Sequence, residues 1–132
     1  MNQIKQVLIV EDDQQWQGIL SETLEDAGYG VTVIGDYPAG RQALQESRFD
    51  LVVVDLELDR SAPMFEGQRL LNLISRQHTE TPCIVVSAQN DPQIVREAFK
   101  RYRVVDFIGK DIFDIPTFMD AVHTALGKPP AT

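Results

Sequence analysis

The sequence predicts an α/β protein, a three-layer doubly wound sandwich in which five helices cover a five-stranded parallel sheet of order 2-1-3-4-5. Two observations lead to this fold. Short apolar runs rich in β-branched residues alternate strictly with longer segments of helical periodicity, as in repeated strand–helix–strand units. Several of these runs are apolar along most of their length, as strands covered on both faces should be. With right-handed crossovers, this sandwich is the simplest topology.

Five apolar runs predict the strands. The first, third and fourth runs are the most continuously apolar and are expected in the centre of the sheet. The second and fifth runs contain polar or weaker positions, which suit the edges. The predicted strands are residues 6–10, 31–34, 51–54, 83–86 and 104–108.

Helical periodicity, N-cap residues and helix breakers predict the helices. An aspartate precedes the first, fourth and fifth helices, where its side chain can satisfy free backbone N–H groups, and the last two also have an early proline. A glycine after the first helix provides a C-terminal stop. The first helix is predicted to have Asp13 as its N-cap and Gly28 as its C-terminal stop. The second covers residues 39–46 after Pro38, and the third contains residues 70–74 and ends before Pro82. The fourth starts at Asp91 with Pro92, and the fifth starts at Asp114 with Pro116 and ends before Gly127.

Length and composition restrict the class of protein. The 132 residues suit one domain, predicted over residues 1–127, with a flexible tail or linker stub over 128–132. The net charge of -8 argues against direct nucleic-acid binding. The sequence has no apolar run near the ~20 residues that cross a bilayer, and its single Cys83 fits a buried thiol in a reducing compartment. We therefore expect a cytoplasmic protein without membrane contact.

Polar side chains follow four of the predicted strands. In an open parallel sheet the carboxyl ends of the strands lie along one rim, where ligands bind. We therefore expect these side chains to converge. They are Glu11, Asp12 and Asp13 after the first strand, Asp55 at the end of the third, Ser87 after the fourth and Lys110 after the fifth.

This set of residues favours phosphoryl transfer with a divalent cation. Carboxylates placed close together raise one another's pKa unless a cation neutralises them, and Mg²⁺ prefers such oxygen ligands. Lys110 and Ser87 would hold phosphoryl oxygens. Because the cluster contains no histidine or cysteine, Asp55 is the predicted nucleophile, which would form an acyl phosphate.

Each residue taken alone has a simpler interpretation, and only the joint arrangement favours the chemistry. Asp13 is assigned to the helix cap. The simpler alternatives are a backbone-satisfied loop carboxylate for Asp55, a solvated surface lysine for Lys110, a turn cap for Ser87, and ordinary packing for Phe107 and Trp16.

Four motifs, in order along the chain, resemble the receiver domain of response regulators in two-component signalling. The resemblance covers essentially the whole chain, and four motifs on the expected strands are specific where one would be weak. The motifs are Val10-Glu11-Asp12-Asp13, the run Asp50 to Asp55, the run Pro82 to Ala88, and Asp106-Phe107-Ile108-Gly109-Lys110.

The resemblance implies a role for each site residue. Asp55 would be the phosphoacceptor, and Asp12 and Asp55 would bind Mg²⁺ directly. The backbone carbonyl of Glu57 would complete the protein ligands, and Glu11 would act through water. The domain would assist its own phosphorylation and dephosphorylation without being an enzyme for a separate substrate.

The resemblance also implies a switch and partners. Phosphorylation would draw in Ser87 and Lys110, and Phe107 would rotate into the space that Ser87 leaves. The surface of the fourth helix, fifth strand and fifth helix would change as a result. The expected partners are a sensor histidine kinase or histidine phosphotransfer protein, a downstream effector protein, and a second copy of the chain through that surface.

The sequence departs from the family at two places. Asp111 stands where the family usually has a proline after the lysine, so a trans peptide is expected. The loop over residues 56–66 is longer than usual. These departures keep open a pseudo-receiver, an interaction module that is not phosphorylated. A small doubly wound enzyme or flavin carrier is a weaker alternative, because Glu11-Asp12-Asp13 occupies the place of a glycine-rich phosphate loop.

Overall fold

A computed structural model describes residues 3–57, 66–78, 80–88 and 91–127, and it has the predicted architecture. The sheet contains five parallel strands in the order β2-β1-β3-β4-β5. The strands are β1 (Gln6–Val10), β2 (Gly30–Ile34), β3 (Leu51–Val54), β4 (Cys83–Ser87) and β5 (Val104–Gly109). The helices are α1 (Gln14–Asp26), α2 (Tyr37–Glu46), α3 (Glu66–Gln77), α4 (Pro92–Arg101) and α5 (Ile115–Leu126).

The predicted caps of three helices are confirmed. Asp13, Asp91 and Asp114 each accept backbone hydrogen bonds at the starts of α1, α4 and α5. Gly28 follows α1 with a φ of 95°, a left-handed conformation that favours glycine.

One helix start was placed wrongly from the sequence, and one short turn was missed. α2 begins at Tyr37, two residues before the predicted start, because Asp36 Oδ1 accepts a hydrogen bond from the Ala39 N–H at 2.8 Å and caps it. Pro38 therefore lies in the first turn, where backbone N–H groups have no partner within the helix, so the N–H that proline lacks is not needed there. A 3₁₀ turn over Lys110–Ile112 separates β5 from α5.

Two apolar clusters, one on each face of the sheet, form the core. Alternate residues of the central strands point to opposite faces, so Ile9 and Val53 join one cluster while Val10 and Val54 join the other. α1 and α5 cover the first face, and α2, α3 and α4 cover the second, where Ile94 of α4 packs against the cluster. Cys83 lies in the second cluster and is buried as predicted, and desolvation raises the pKa of its thiol to about 12.

A bulge in β5 sets which side chains of that strand face which cluster. Cys83 pairs with Val104 but Ile84 pairs with Asp106, so Val105 is the extra residue. As a result Phe107 packs against the cluster under α3, whereas Ile108 packs into the cluster under α5.

Two segments with sequence predictions lie outside the described residues. Residues 58–65 make up most of the long loop, and residues 128–132 are the predicted tail. The long loop and the flexible tail therefore stay predictions. None of the described helices combines the length and apolar character that a membrane span needs.

The start of α3 is held against the end of β3 by a close backbone approach. The Gly67 N–H donates to the Leu56 carbonyl at 3.1 Å. A Cβ on Gly67 would overlap the Asp55 carbonyl oxygen and lie 2.5 Å from Leu56 Cα. Position 67 therefore has no room for a side chain next to Asp55.

We predict that Gly67→Ala lowers the free energy of unfolding by about 1–3 kcal/mol, because the new methyl group forces two backbone segments apart. Urea unfolding followed by circular dichroism measures the change. Gly18→Ala is the matched control: Gly18 lies within α1 with open space around it, so alanine should stabilise the protein by about 0.5–1 kcal/mol. Equal effects of the two substitutions would contradict the close approach.

Candidate functional site

Three carboxylates meet at the carboxyl end of the sheet. Glu11 and Asp12 follow β1, and Asp55 follows β3. One oxygen from each side chain lies within 4.8 Å of the others. The Asp55 N–H donates to the Val10 carbonyl at 3.1 Å, which continues the pairing of the two strands and fixes this approach.

The carboxylates differ in their exposure to water. Only 1% of Glu11 and 5% of Asp55 are exposed, whereas Asp12 is exposed. Two buried acidic groups at this distance need a counter-charge.

Lys110 provides that counter-charge. Its Nζ lies 2.7 Å from Glu11 Oε1 and 2.9 Å from Asp55 Oδ2, and its side chain is 15% exposed. Burial alone would lower the pKa of Lys110, but its bonds to Glu11 and Asp55 outweigh burial and raise the pKa. The ammonium therefore stays charged and joins β5 to the ends of β1 and β3.

Backbone and side-chain donors hold the two buried acids in place. Asp55 Oδ1 accepts a hydrogen bond from the Glu57 N–H at 3.0 Å, so both oxygens of Asp55 have a donor. Glu11 Oε2 accepts from the Asp13 N–H at 3.1 Å. The Glu11 carbonyl accepts from Gln17 Nε2 at 2.6 Å.

The protonation of Glu11 is unusual because of its position. Desolvation raises its pKa from 4.5 to about 7, and the nearby charge of Asp55 adds to the rise. The contacts with Lys110 and the Asp13 N–H act in the opposite direction but are weaker. Without a further cation, Glu11 therefore holds a proton through much of the range below neutral pH.

The other predicted residues lie on, or shortly after, the strands next to the carboxylates. Ser87 ends β4, is fully buried, and its Cα pairs with that of Gly109, next to Lys110. Phe107 is half-buried on β5. The Glu57 N–H is bonded to Asp55, while the role of its carbonyl as a ligand remains a prediction.

Two contributions to the site were not predicted. The ring of Trp16 lies with its centroid 5.3 Å from Lys110 Nζ, and Gln17 holds the Glu11 backbone. Both residues lie in the first turn of α1, directly after the acidic residues. This closeness to the acidic residues in the sequence was the signal from which their contribution to the site could have been predicted. The expected trans peptide between Lys110 and Asp111 is confirmed.

Comparison with known proteins identifies the family. A protein-family model described as the response regulator receiver domain matches residues 7–123. The chain belongs to this receiver family. The fold and the resemblance inferred from the four motifs are thereby confirmed.

Individual relatives agree with this assignment of the receiver domain. The nitrogen assimilation regulatory protein NtrX of Azorhizobium caulinodans is 31% identical over 79% of this chain and 22% of its own length. The transcriptional regulatory protein FixJ of Bradyrhizobium diazoefficiens is 30% identical over 82% of this chain and half of its own length. The chain thus spans half or less of these two relatives.

A solved structure matches the receiver fold. The CheY-like response regulator receiver domain protein from Methanospirillum hungatei superposes with a TM-score of 0.83 and covers 94% of this chain and 94% of its own. Its sequence identity is 20%, so the likeness concerns the fold.

The raised pKa of Glu11 predicts how the stability of the metal-free receiver domain depends on pH. The folded protein keeps a proton on Glu11 up to about pH 7, whereas the unfolded chain loses it near 4.5. Stability from this group is therefore lost as pH rises through that window, by up to about 1.4 kcal/mol per pH unit.

Urea unfolding in EDTA, from pH 5.5 to 8.5, tests this expectation. Glu11→Gln is the control, because glutamine keeps the shape and removes the titration. The wild-type unfolding free energy, minus that of Glu11→Gln, should fall towards pH 7 and then level off. A difference that rises with pH would contradict the raised pKa.

Proposed function

We propose that this receiver domain accepts a phosphoryl group on Asp55 in a Mg²⁺-dependent reaction. One observation carries the proposal: a partly buried lysine contacts the candidate nucleophile and a second buried carboxylate, beside a third carboxylate that is exposed. In a domain of this family, that combination provides a nucleophile, a cation site and a group that holds phosphoryl oxygens.

The donor set fits Mg²⁺. All three side chains offer carboxylate oxygens, which this ion prefers, and the exposed Asp12 leaves one side open to water and to the phosphoryl donor. We propose Asp12, Asp55 and the carbonyl of Glu57 as direct ligands and Glu11 as a ligand through water. Mg²⁺, when bound, supplies positive charge that offsets the carboxylates and the phosphoryl oxygens.

The proposed reaction is a direct displacement at phosphorus. One carboxylate oxygen of Asp55 attacks the phosphorus of a phosphohistidine, a P–O bond forms, and the P–N bond breaks. Its electron pair stays on the imidazole nitrogen of the donor. Lys110, which already contacts Asp55 Oδ2, moves to the oxygens of the transferred group and offsets their charge. A small acyl phosphate can donate in the same way, with a carboxylate as leaving group.

We propose that the phosphorylated state is transmitted through Ser87 and Phe107 to the surface of α4, β5 and α5. Ser87 is buried at the end of β4, and Phe107 lies half-buried on the α4 side of the sheet, which supports a packing change there. Phe99 on α4 and Ile115 on α5 are exposed apolar side chains suited to a protein contact.

The partners proposed for this domain are proteins. A sensor histidine kinase or a histidine phosphotransfer protein would donate the phosphoryl group, and an effector protein or a second copy would bind the switched surface. The net charge of -8 supports protein contact over direct nucleic-acid contact. We further propose that the domain acts in the cytoplasm as a signalling module and not as an enzyme for a separate substrate.

A pseudo-receiver is the alternative function. One observation favours it: Lys110 already pairs with both buried carboxylates, so the fold has a counter-charge without a metal ion. An interaction module that never accepts phosphorus would need no more than this.

We predict that acetyl phosphate with Mg²⁺ adds one phosphoryl group to the protein and that Asp55→Asn abolishes the addition, because an amide is a poor nucleophile. Intact-protein mass spectrometry measures the product. Asp26→Asn is the matched control, since Asp26 is exposed at the end of α1 and should leave the labelling unchanged. Labelling that persists in Asp55→Asn would exclude Asp55 as the acceptor.

We also predict that Asp12→Asn weakens Mg²⁺ binding by about tenfold or more, because it removes a charged ligand. Calorimetric titration measures the affinity. Asp13→Asn removes the same charge from the next residue while asparagine keeps the N-cap, so it should change the affinity little. Equal weakening by both substitutions would indicate a general charge effect. A wild-type domain that binds no Mg²⁺ would favour the pseudo-receiver.

A further inference from the structure

An aromatic cluster of three residues stands beside Lys110. Trp16, on α1, is the single tryptophan of the chain and is half-buried. The Phe113 ring meets Trp16 edge to face, with centroids 5.0 Å apart and planes at 87°. Phe118, on α5, is fully buried and lies 5.5 Å from Phe113 between centroids. The cluster therefore runs from the core to the edge of the site.

The Lys110 ammonium lies over the ring of Trp16, in addition to its contacts with two carboxylates. Nζ has carboxylate oxygens at 2.7 and 2.9 Å and the ring centroid of Trp16 at 5.3 Å. Indole has the most electron-rich face among the aromatic side chains, and a cation within about 6 Å of the centroid is attracted to it.

The segment after Lys110 needs such an anchor. The 3₁₀ turn over Lys110–Ile112 has no side-chain cap, and Asp111 and Ile112 are both exposed. Phe113 is the first half-buried residue after the turn. Its contact with Trp16 joins this turn to α1.

We propose that Trp16 is a positioning residue, which holds the Lys110 ammonium over Asp55 and Glu11 and, through Phe113, fixes the turn that carries it. The inference rests on the proposed function, because the value of a fixed ammonium lies in phosphoryl transfer. In this proposal Trp16 acts on the site through Lys110.

Two substitutions separate positioning from simple packing. Trp16→Phe keeps an aromatic face, whereas Trp16→Leu keeps an apolar side chain without one. We expect the second-order rate of phosphorylation by acetyl phosphate to fall by about tenfold in Trp16→Leu and by about threefold or less in Trp16→Phe. Equal losses in the two variants would overturn the proposal.

A double-substitution cycle tests whether the effect passes through the lysine. In a Lys110→Met background, Trp16→Leu should raise the unfolding equilibrium constant only by its packing cost. In the wild-type background, Trp16→Leu should raise the unfolding equilibrium constant by at least about threefold more than it does in the Lys110→Met background. Equal effects in both backgrounds would overturn the proposal.

Fluorescence of the single tryptophan tests the contact without any phosphorylation. Lys110→Met should change the emission intensity of Trp16, and the control Lys100→Met, an exposed residue of α4, should not. Unchanged emission in Lys110→Met would overturn the proposal. If the wild-type domain accepts no phosphoryl group, the proposed function fails, while the unfolding cycle and the emission still decide whether Trp16 positions Lys110.

Discussion

The burial of two carboxylates against one lysine is the constraint on which the rest of the site depends. Glu11 and Asp55 are almost fully buried, and isolated charges there would be very costly. Lys110 makes the arrangement possible, because its ammonium lies within 3 Å of both side chains. Since these residues come from β1, β3 and β5, the ion pairs form only when the whole sheet is assembled in its native order. The chemistry of the site is therefore a property of the complete fold.

The same constraint supports the proposal that the site binds a divalent cation and accepts a phosphoryl group. One ammonium cannot balance three carboxylates, and the raised pKa of Glu11 is one way in which the metal-free protein reduces the remaining negative charge. A bound cation offers another way and competes with that proton. The exposed Asp12 gives such an ion access from solvent. In the proposed function, the proton, the metal ion and the phosphoryl group would thus act on one set of charges.

The sequence predicted the sheet and most of the helices because their signals are local. Apolar runs mark the strands, and aspartate caps mark the starts of α1, α4 and α5. The rim residues could be predicted as a group because strand ends converge in any parallel sheet. The contact of Trp16 with Lys110 could not, because it depends on how α1 is rotated about its axis. The bulge at Val105 also left no local signal, yet it decides that Phe107 faces α4 and not α5.

That bulge connects the site to the surface proposed to bind partners. β5 carries Phe107 on the α4 side and leads within three residues to Lys110, whose ammonium holds the two buried acids. A phosphoryl group on Asp55 would attract the ammonium away from its present contacts and so change the force on the end of β5. Because packed cores respond to such changes by discrete rearrangement, a small displacement of Lys110 is expected to alter the packing of Phe107. In this proposal the lysine acts twice, as the counter-charge that allows the acids to be buried and as the link from their chemistry to the surface.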